Sequence, residues 1–297
     1  MIALGGNALQ RRGEPADLDH QRRNLDVAAD GVAEVAQAHE VVVTHGNGPQ
    51  VGWLAMQTGL AGGAYPLDLL DAGSEGMIGY LLEQALGNRL PGRRIAALLT
   101  RVEVDPADPA FARPDKPIGP VLSAERAREL ESRHGWSLAP EGGGRRRRVA
   151  SPKPRRILEL PAIASLLEAG FLTICAGGGG IPVVARPDGT LAGVEAVIDK
   201  DRAAALLARE LRADALLLLT DVDAVYRDWG TPRAAPIGRT TPAELEAQRF
   251  APGSMAPKVE AACAFIRAGG RLAGIGRLED APALLADRAG TRVLPAP

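Results

Sequence analysis

Apolar runs of strand length alternate with longer stretches of helical periodicity along the chain. MIAL opens, and GGN turns the chain. Helical spacing then runs over about residues 17–39. EVVVTHGNGP reads as a buried strand at 40–44 that ends in a glycine-rich turn. Helical pattern resumes near Pro49 and again over 67–90. RRIAALLTRVEV reads as one further strand. GFLTICAGGGG, ADALLLLTDVD and GRLAGIG each predict a strand running into a loop. Helical stretches near 157–169, 199–211, 255–268 and 281–287 separate them. Strands without polar alternation, spaced by helices, predict a parallel sheet covered on both faces. The expected fold class is therefore α/β, a three-layer αβα sandwich around a central, mainly parallel sheet.

One segment breaks this rhythm. DPADPAFARPDKPIGP, at 105–120, holds five prolines in sixteen residues. A short helical pattern follows at 123–133, then GGGRRRR at 142–148, then SPKP. We read 105–152 as a protruding, lid-like subdomain inserted within a single domain of 1–297, because long insertions in compact domains serve as lids or binding elements. The four consecutive arginines are expected in a solvated loop, since the preceding glycines give no rigid frame.

Composition narrows the function classes. A net charge of −1 argues against a nucleic-acid partner. The apolar runs are too short to span a bilayer, so no membrane partner is expected. MIALGG lacks the charged and apolar regions of a signal peptide, and the two cysteines, Cys175 and Cys263, form no disulfide framework or metal cluster. A buried thiol in a reducing, cytoplasmic setting is the expectation. No metal site is expected from the four scattered histidines.

In open parallel sheets, ligands bind beyond the carboxyl ends of the strands. The loops expected there are Gly5-Gly6-Asn7, His45-Gly46-Asn47-Gly48, Gly177 to Gly180, and Thr220 to Asp223. Glycine lets backbone N–H groups approach an anion, and helix N-termini add partial positive charge. Several such loops on one edge predict an anion site. No P-loop or dinucleotide fingerprint accompanies them.

The cations sharpen this. Of 35 basic residues only Lys116, Lys153, Lys200 and Lys258 are lysine. Lysine is a compact point charge where arginine is a planar fork, so a retained lysine fits chemistry on a small moving charge. Lys200, with Asp201 beside it, and Lys258 both fall in first helical turns, where the helix dipole disfavours cations. A bound polyphosphate explains that placement, and Asp201 would orient both ammonium groups. Ser254 is the expected N-cap of the second of these helices.

These residues lie in motifs that resemble the carbamate kinases of the amino-acid kinase superfamily. The motifs are ALGGNAL (3–9), VVTHGNGPQVG (42–52), GSEGMIGYLLEQAL (73–86), KPIGP (116–120), SPKP (151–154), AGGGGIPVV (176–184), GVEAVIDKDRAAALLA (193–208), LLTDVDAVY (218–226) and GSMAPKVEAA (253–262). The resemblance covers essentially the whole chain. It implies reversible phosphoryl transfer between ATP and carbamate, giving ADP and carbamoyl phosphate, usually run toward ATP in fermentative arginine breakdown. It implies nucleotide-bound Mg²⁺ and a homodimer. Lys200, Lys258, Asp201 and Lys116 match catalytic positions. Gly5, Gly6, Asn7, Gly46, Asn47, Gly48, Gly178 and Gly179 are expected around the small substrate. Thr220, Asp221, Val222, Tyr226, Ser254 and Met255 match the nucleotide region. Lys153 matches the pattern without an assigned role. Two alternatives stay open: a kinase for another small carboxylate or phosphate acceptor, and a nucleotide-binding regulator without catalysis.

Overall fold

The first apolar run forms β1 (Ile2–Leu4), buried throughout, and GGN winds directly into α1 (Gly6–Leu9). The computed structural model describes residues 1–9, 14, 17–60, 65–250 and 255–296. Asp17 starts α2 (Leu18–Ala36) by accepting the His20 N–H, one of the donors a helix start leaves unpaired. β2 (Val42–His45) leads almost at once into α3 (Gly48–Leu60), and α4 (Leu67–Arg89) follows. RRIAALLTRVEV is not one strand. It divides into β3 (Ile95–Ala97) and β4 (Arg101–Val104), which join different sheets. The break falls beside Thr100, whose N–H goes to the Glu75 carboxyl and whose hydroxyl accepts the Ala176 N–H.

The inserted segment builds its own small sheet. β5 (Lys116–Leu122), α5 (Ala124–His134), β6 (Leu138–Glu141) and β7 (Gly144–Val149) follow in order, with β7 antiparallel between the other two strands. The arginine run is therefore a strand, not a solvated loop. Gly142 and Gly143, both at positive φ, make a two-residue turn between paired Glu141 and Gly144. Partners on α5, on β6 and at Trp136 hold its charges. Arg145 pairs with Glu131, Arg146 and Arg148 share Glu141, and the Arg147 guanidinium lies 4.0 Å above the Trp136 ring.

The chain re-enters through β8 (Pro154–Ile157), α6 (Leu160–Glu168) and β9 (Leu172–Ile174). A tight turn at Gly177–Gly179 precedes β10 (Ile181–Ala185), β11 (Leu191–Gly193) and α7 (Lys200–Glu210). Then come β12 (Ala215–Thr220), the hairpin of β13 (Val225–Arg227) and β14 (Ala235–Ile237), and β15 (Arg239–Thr240). α8 (Pro242–Glu246), α9 (Met255–Arg267), β16 (Leu272–Arg277), α10 (Ala281–Leu285) and β17 (Thr291–Val293) complete the fold.

Eight strands form the central sheet in the order β15-β17-β16-β12-β1-β2-β9-β3, parallel from β16 through β3, with β17 antiparallel to β16. Alternation along single strands assigns the two faces. Ile2, Leu4, Leu217 and Leu219 join one core with α2, α4 and α10, whereas Ala3, Leu216 and Leu218 join another with α7 and α9. The result is the three-layer sandwich. Gly274 and Gly276 on β16 leave the room that Leu217 and Leu284 occupy. Among the described residues, no helix is long and apolar enough to cross a membrane.

Candidate active site

β12, β1, β2 and β9 are adjacent and parallel, so the loops after them share one edge of the sheet. Close backbone contacts knit these loops together. A Cβ on Gly46 would stand 2.6 Å from the Gly6 nitrogen. The Gly5 N–H reaches the Leu219 carbonyl at 2.8 Å, and the Gly46 N–H reaches Leu4 at 2.9 Å. Gly178 takes positive φ, and a Cβ there would fall 2.2 Å from the Asn47 amide. Asn47 in turn donates to Asp71 and to Ser74, both at 2.9 Å. Among the described residues, the Gly6, Gly48 and Gly178 N–H groups donate to no protein acceptor. Three donors thus stand open in three of the loops.

α7 and α9 bring two lysines to this edge. Asp199 caps α7, accepting the Asp201 and Arg202 N–H groups. Lys200 Nζ donates to Asp201 Oδ1 at 2.6 Å, and Lys258 Nζ donates to Oδ2 at 3.0 Å. Their fractional exposures are 9%, 3% and 8% in chain order, so the triad is buried. The Lys200 stem runs beside Gly46. Lys116, at the start of β5, donates to the Ile198 carbonyl at 3.0 Å and to Asp199 Oδ2 at 3.4 Å. Asp199 therefore serves the α7 cap with one oxygen and Lys116 with the other. Gly179 closes the ring, because a Cβ there would press on Ile198.

Burial and charge act against each other here. Burial pushes the Lys200 ammonium down to about 8; Asp201 opposes that shift and Lys258 adds to it. Burial also disfavours charge on Asp201, but the two ammonium groups prevail and hold its carboxyl well below the usual range. Lys258 is raised, since Asp201 outweighs the cost of burial. The acid limb and the base limb of the triad are thus unequal: Lys200 is the group that loses its proton first. Below about pH 8 it is charged and suited to phosphate; above, its charge is lost. The affinity for a phosphate anion is therefore expected to weaken above pH 8, by up to about tenfold per pH unit. Titrating inorganic phosphate at several pH values checks this, and Lys200→Ala should abolish that loss. Between pH 8 and 10.5 the unfolded chain binds the extra proton, so the Lys200 contribution to stability rises with pH in that window.

Not every residue singled out from sequence joins the ring. Thr220 ends β12 beside the β1 loop, Asp221 and Val222 follow it, and Tyr226 donates its hydroxyl proton to Asp223. Met255 opens α9 and packs on the core that contains Val225. Ser254 and the Asn7 side chain lie outside the described residues. Lys153 stays on the exterior, where its backbone N–H donates to Asp108 and, against the cost of partial burial, its charge helps hold that carboxyl below its usual range. Among the described residues, no three His, Cys, Asp or Glu side chains gather as metal ligands. Sequence reasoning missed Asp199, although an aspartate just before a helix is a cap signal. It also left Glu75, Thr100, Asp71 and Ser74 unassigned, because nothing in their spacing marks them as partners.

The model of the amino acid kinase family matches residues 1–275. A carbamate kinase of Rhizobium meliloti is 53% identical over 98% of this chain and 91% of its own length. A carbamate kinase of Escherichia coli strain K12 is 49% identical over 98% and 97%. The solved carbamate kinase of Giardia lamblia bound to AMP-PNP superposes with a TM-score of 0.91 at 37% identity, covering 99% of this chain and 98% of that one. The chain belongs to the amino acid kinase family, in its carbamate kinase branch.

Proposed function

We propose that the chain transfers a phosphoryl group reversibly between ATP and carbamate, giving ADP and carbamoyl phosphate. One observation carries this reading: two lysines from two helix N-termini meet on one buried aspartate at the glycine-loop edge of the sheet. Carbamate oxygen is already anionic, so no general base is needed, and catalysis reduces to positioning and charge neutralisation. Lys200 and Lys258 would face the transferred phosphoryl, with Asp201 holding both. Lys116 would cover the acceptor from the inserted unit. The open N–H groups of Gly6, Gly48 and Gly178 would receive oxygens. Thr220 to Tyr226 and the start of α9 would hold the nucleotide.

Mg²⁺ would enter with the nucleotide, neutralising its phosphates, since both Asp201 oxygens are already taken by lysines. The likeness to a carbamate kinase bound to AMP-PNP supports a nucleotide as ligand. The direction toward ATP, the role in arginine breakdown and a cytoplasmic setting rest on family resemblance.

The test is ATP formation from carbamoyl phosphate, ADP and Mg²⁺, with Lys200→Ala alongside. ATP from the parent and almost none from the variant is expected. A folded, ADP-binding parent that makes no ATP would send the search to other small acyl or phosphate acceptors.

A homodimer is part of the same reading. Leu69, Met77 and Tyr80 on α4, with Leu99 resting near Gly76, leave a row of exposed apolar side chains beside the open edge strand β3. A second copy covers such a face at low cost. Light scattering should give twice the chain mass, and Met77→Glu with Tyr80→Glu should give the chain mass.

A further inference from the structure

We propose that Glu75 is a positioning residue for the transfer step, locking the loop after β9 so that the Gly178 N–H alone is left to an anionic ligand oxygen. The proposal rests on the phosphoryl-transfer reading above.

Nearly every backbone donor of this loop is spoken for. The Ala176 N–H goes to Thr100 Oγ1 at 2.8 Å. The Gly177 N–H goes to Glu75 Oε1 at 2.8 Å. Those of Gly179, Gly180 and Ile181 go to the carbonyls of Ala176, Gly177 and Thr100, at 3.0, 3.0 and 2.8 Å. The Gly178 N–H has no acceptor among the described residues, and Gly178 lies against Asn47. The second Glu75 oxygen accepts the Thr100 N–H at 3.1 Å. One carboxyl thus ties α4 both to the glycine loop and to the residue that holds the loop from the other side.

The pose needs holding. Ala176 sits at φ 52, in the left-handed region that a Cβ disfavours, and Gly178, Gly179 and Gly180 follow at φ 71, 105 and 87. Thr44 Oγ1 fastens the Ala176 carbonyl at 2.7 Å. Without an acceptor on α4, the Gly177 peptide has no reason to keep its N–H turned away from the site.

Glu75 is also an expensive residue for mere packing. It is buried and forms no salt bridge among the described residues. Burial pushes its carboxyl up to about 8, against the two backbone hydrogen bonds that favour charge. An apolar side chain would fill the same space at lower cost, were it not for the two N–H groups.

Glu75→Gln keeps one acceptor of the two, and Glu75→Leu keeps neither. Turnover of carbamoyl phosphate at saturation is expected to fall about tenfold in the first. In the second it should fall at least ~10²-fold, the cost of one misplaced oxyanion-type donor. The Kd for ADP should stay within about twofold in both, because the nucleotide region is untouched. Wild-type turnover in either folded variant would overturn the proposal, and Glu75→Gln alone decides if Glu75→Leu does not fold. A second readout does not need turnover. Inorganic phosphate added to ¹⁵N-labelled parent protein should shift the Gly178 amide resonance, and should not do so in Glu75→Gln to the same extent. An unmoved Gly178 amide in the parent would overturn the proposal too. A parent whose amide responds but which makes no ATP would instead reject the phosphoryl-transfer reading.

Discussion

Lys200→Arg is expected to be no more active than Lys200→Ala, with turnover at least ~10²-fold below the parent in both. The reason is shape as well as charge. Lys200 threads its stem past Gly46, where a single added Cβ would already strike Gly6, and ends in a 2.6 Å contact with Asp201. A guanidinium fork is broader than an ammonium and offers the carboxylate no single-point charge to orient. Lys258→Ala should lose a similar factor. Asp201→Asn should fail differently. It leaves two buried ammonium groups without their counter-charge, and removing one partner of a buried ion pair costs about 3–5 kcal/mol. A melting curve therefore separates the cases: Lys200→Arg keeps a cation beside Asp201 and loses less stability than Asp201→Asn, which melts well below the parent. An active Lys200→Arg enzyme would refute the argument from shape.

Gly52→Ala should cost about 10²-fold in turnover while leaving the chain folded. Gly52 on α3 meets Gly119 on β5, and a Cβ on Gly52 would stand 2.0 Å from the Gly119 Cα. Both neighbours are backbone, so no side-chain rotation relieves the clash. The strand has to back away, carrying Lys116, three residues upstream, off the Ile198 carbonyl. A displacement of about 1 Å in a positioning group costs on the order of 10² in rate. Alanine favours a helix over glycine by about 1 kcal/mol, so α3 itself is not weakened. Lys116→Ala should match the loss, and the double variant should be little worse than either single one. Additive losses would show that the glycine contact and Lys116 act independently.

The sheet was legible because its central strands are apolar on both faces, and runs such as ALLLL admit few other readings. Lys200 and Lys258 were legible for a different reason: each sits in the first turn of a helix, against its dipole, in a chain that otherwise uses arginine. Where the reading failed, the decisive partner lay far off in sequence. RRRR is a strand because β5 pairs along it from far upstream, and nothing near the run announces that pairing, so a strand was taken for a loop. RRIAALLTRVEV looked continuous because Thr100 is an ordinary β-former, and its capture by Glu75 comes from a helix 25 residues away. The network of Asn47, Asp71 and Ser74 escaped in the same way, since polar residues inside a helical pattern show no sign of pairing with a distant loop.

The stems of the inserted unit lie side by side. Val104 at the end of β4 pairs with Pro154 at the start of β8, so the chain leaves and returns at neighbouring points. Whatever is spliced between those two residues needs little closure entropy and disturbs no strand of the large sheet. The lysine pair and glycine loops belong to the main body, on α7, α9 and the loops of the large sheet, while Lys116 arrives on the insert. The acceptor side of such an enzyme can therefore diverge by exchange of one cassette, with the phosphate machinery left as it stands.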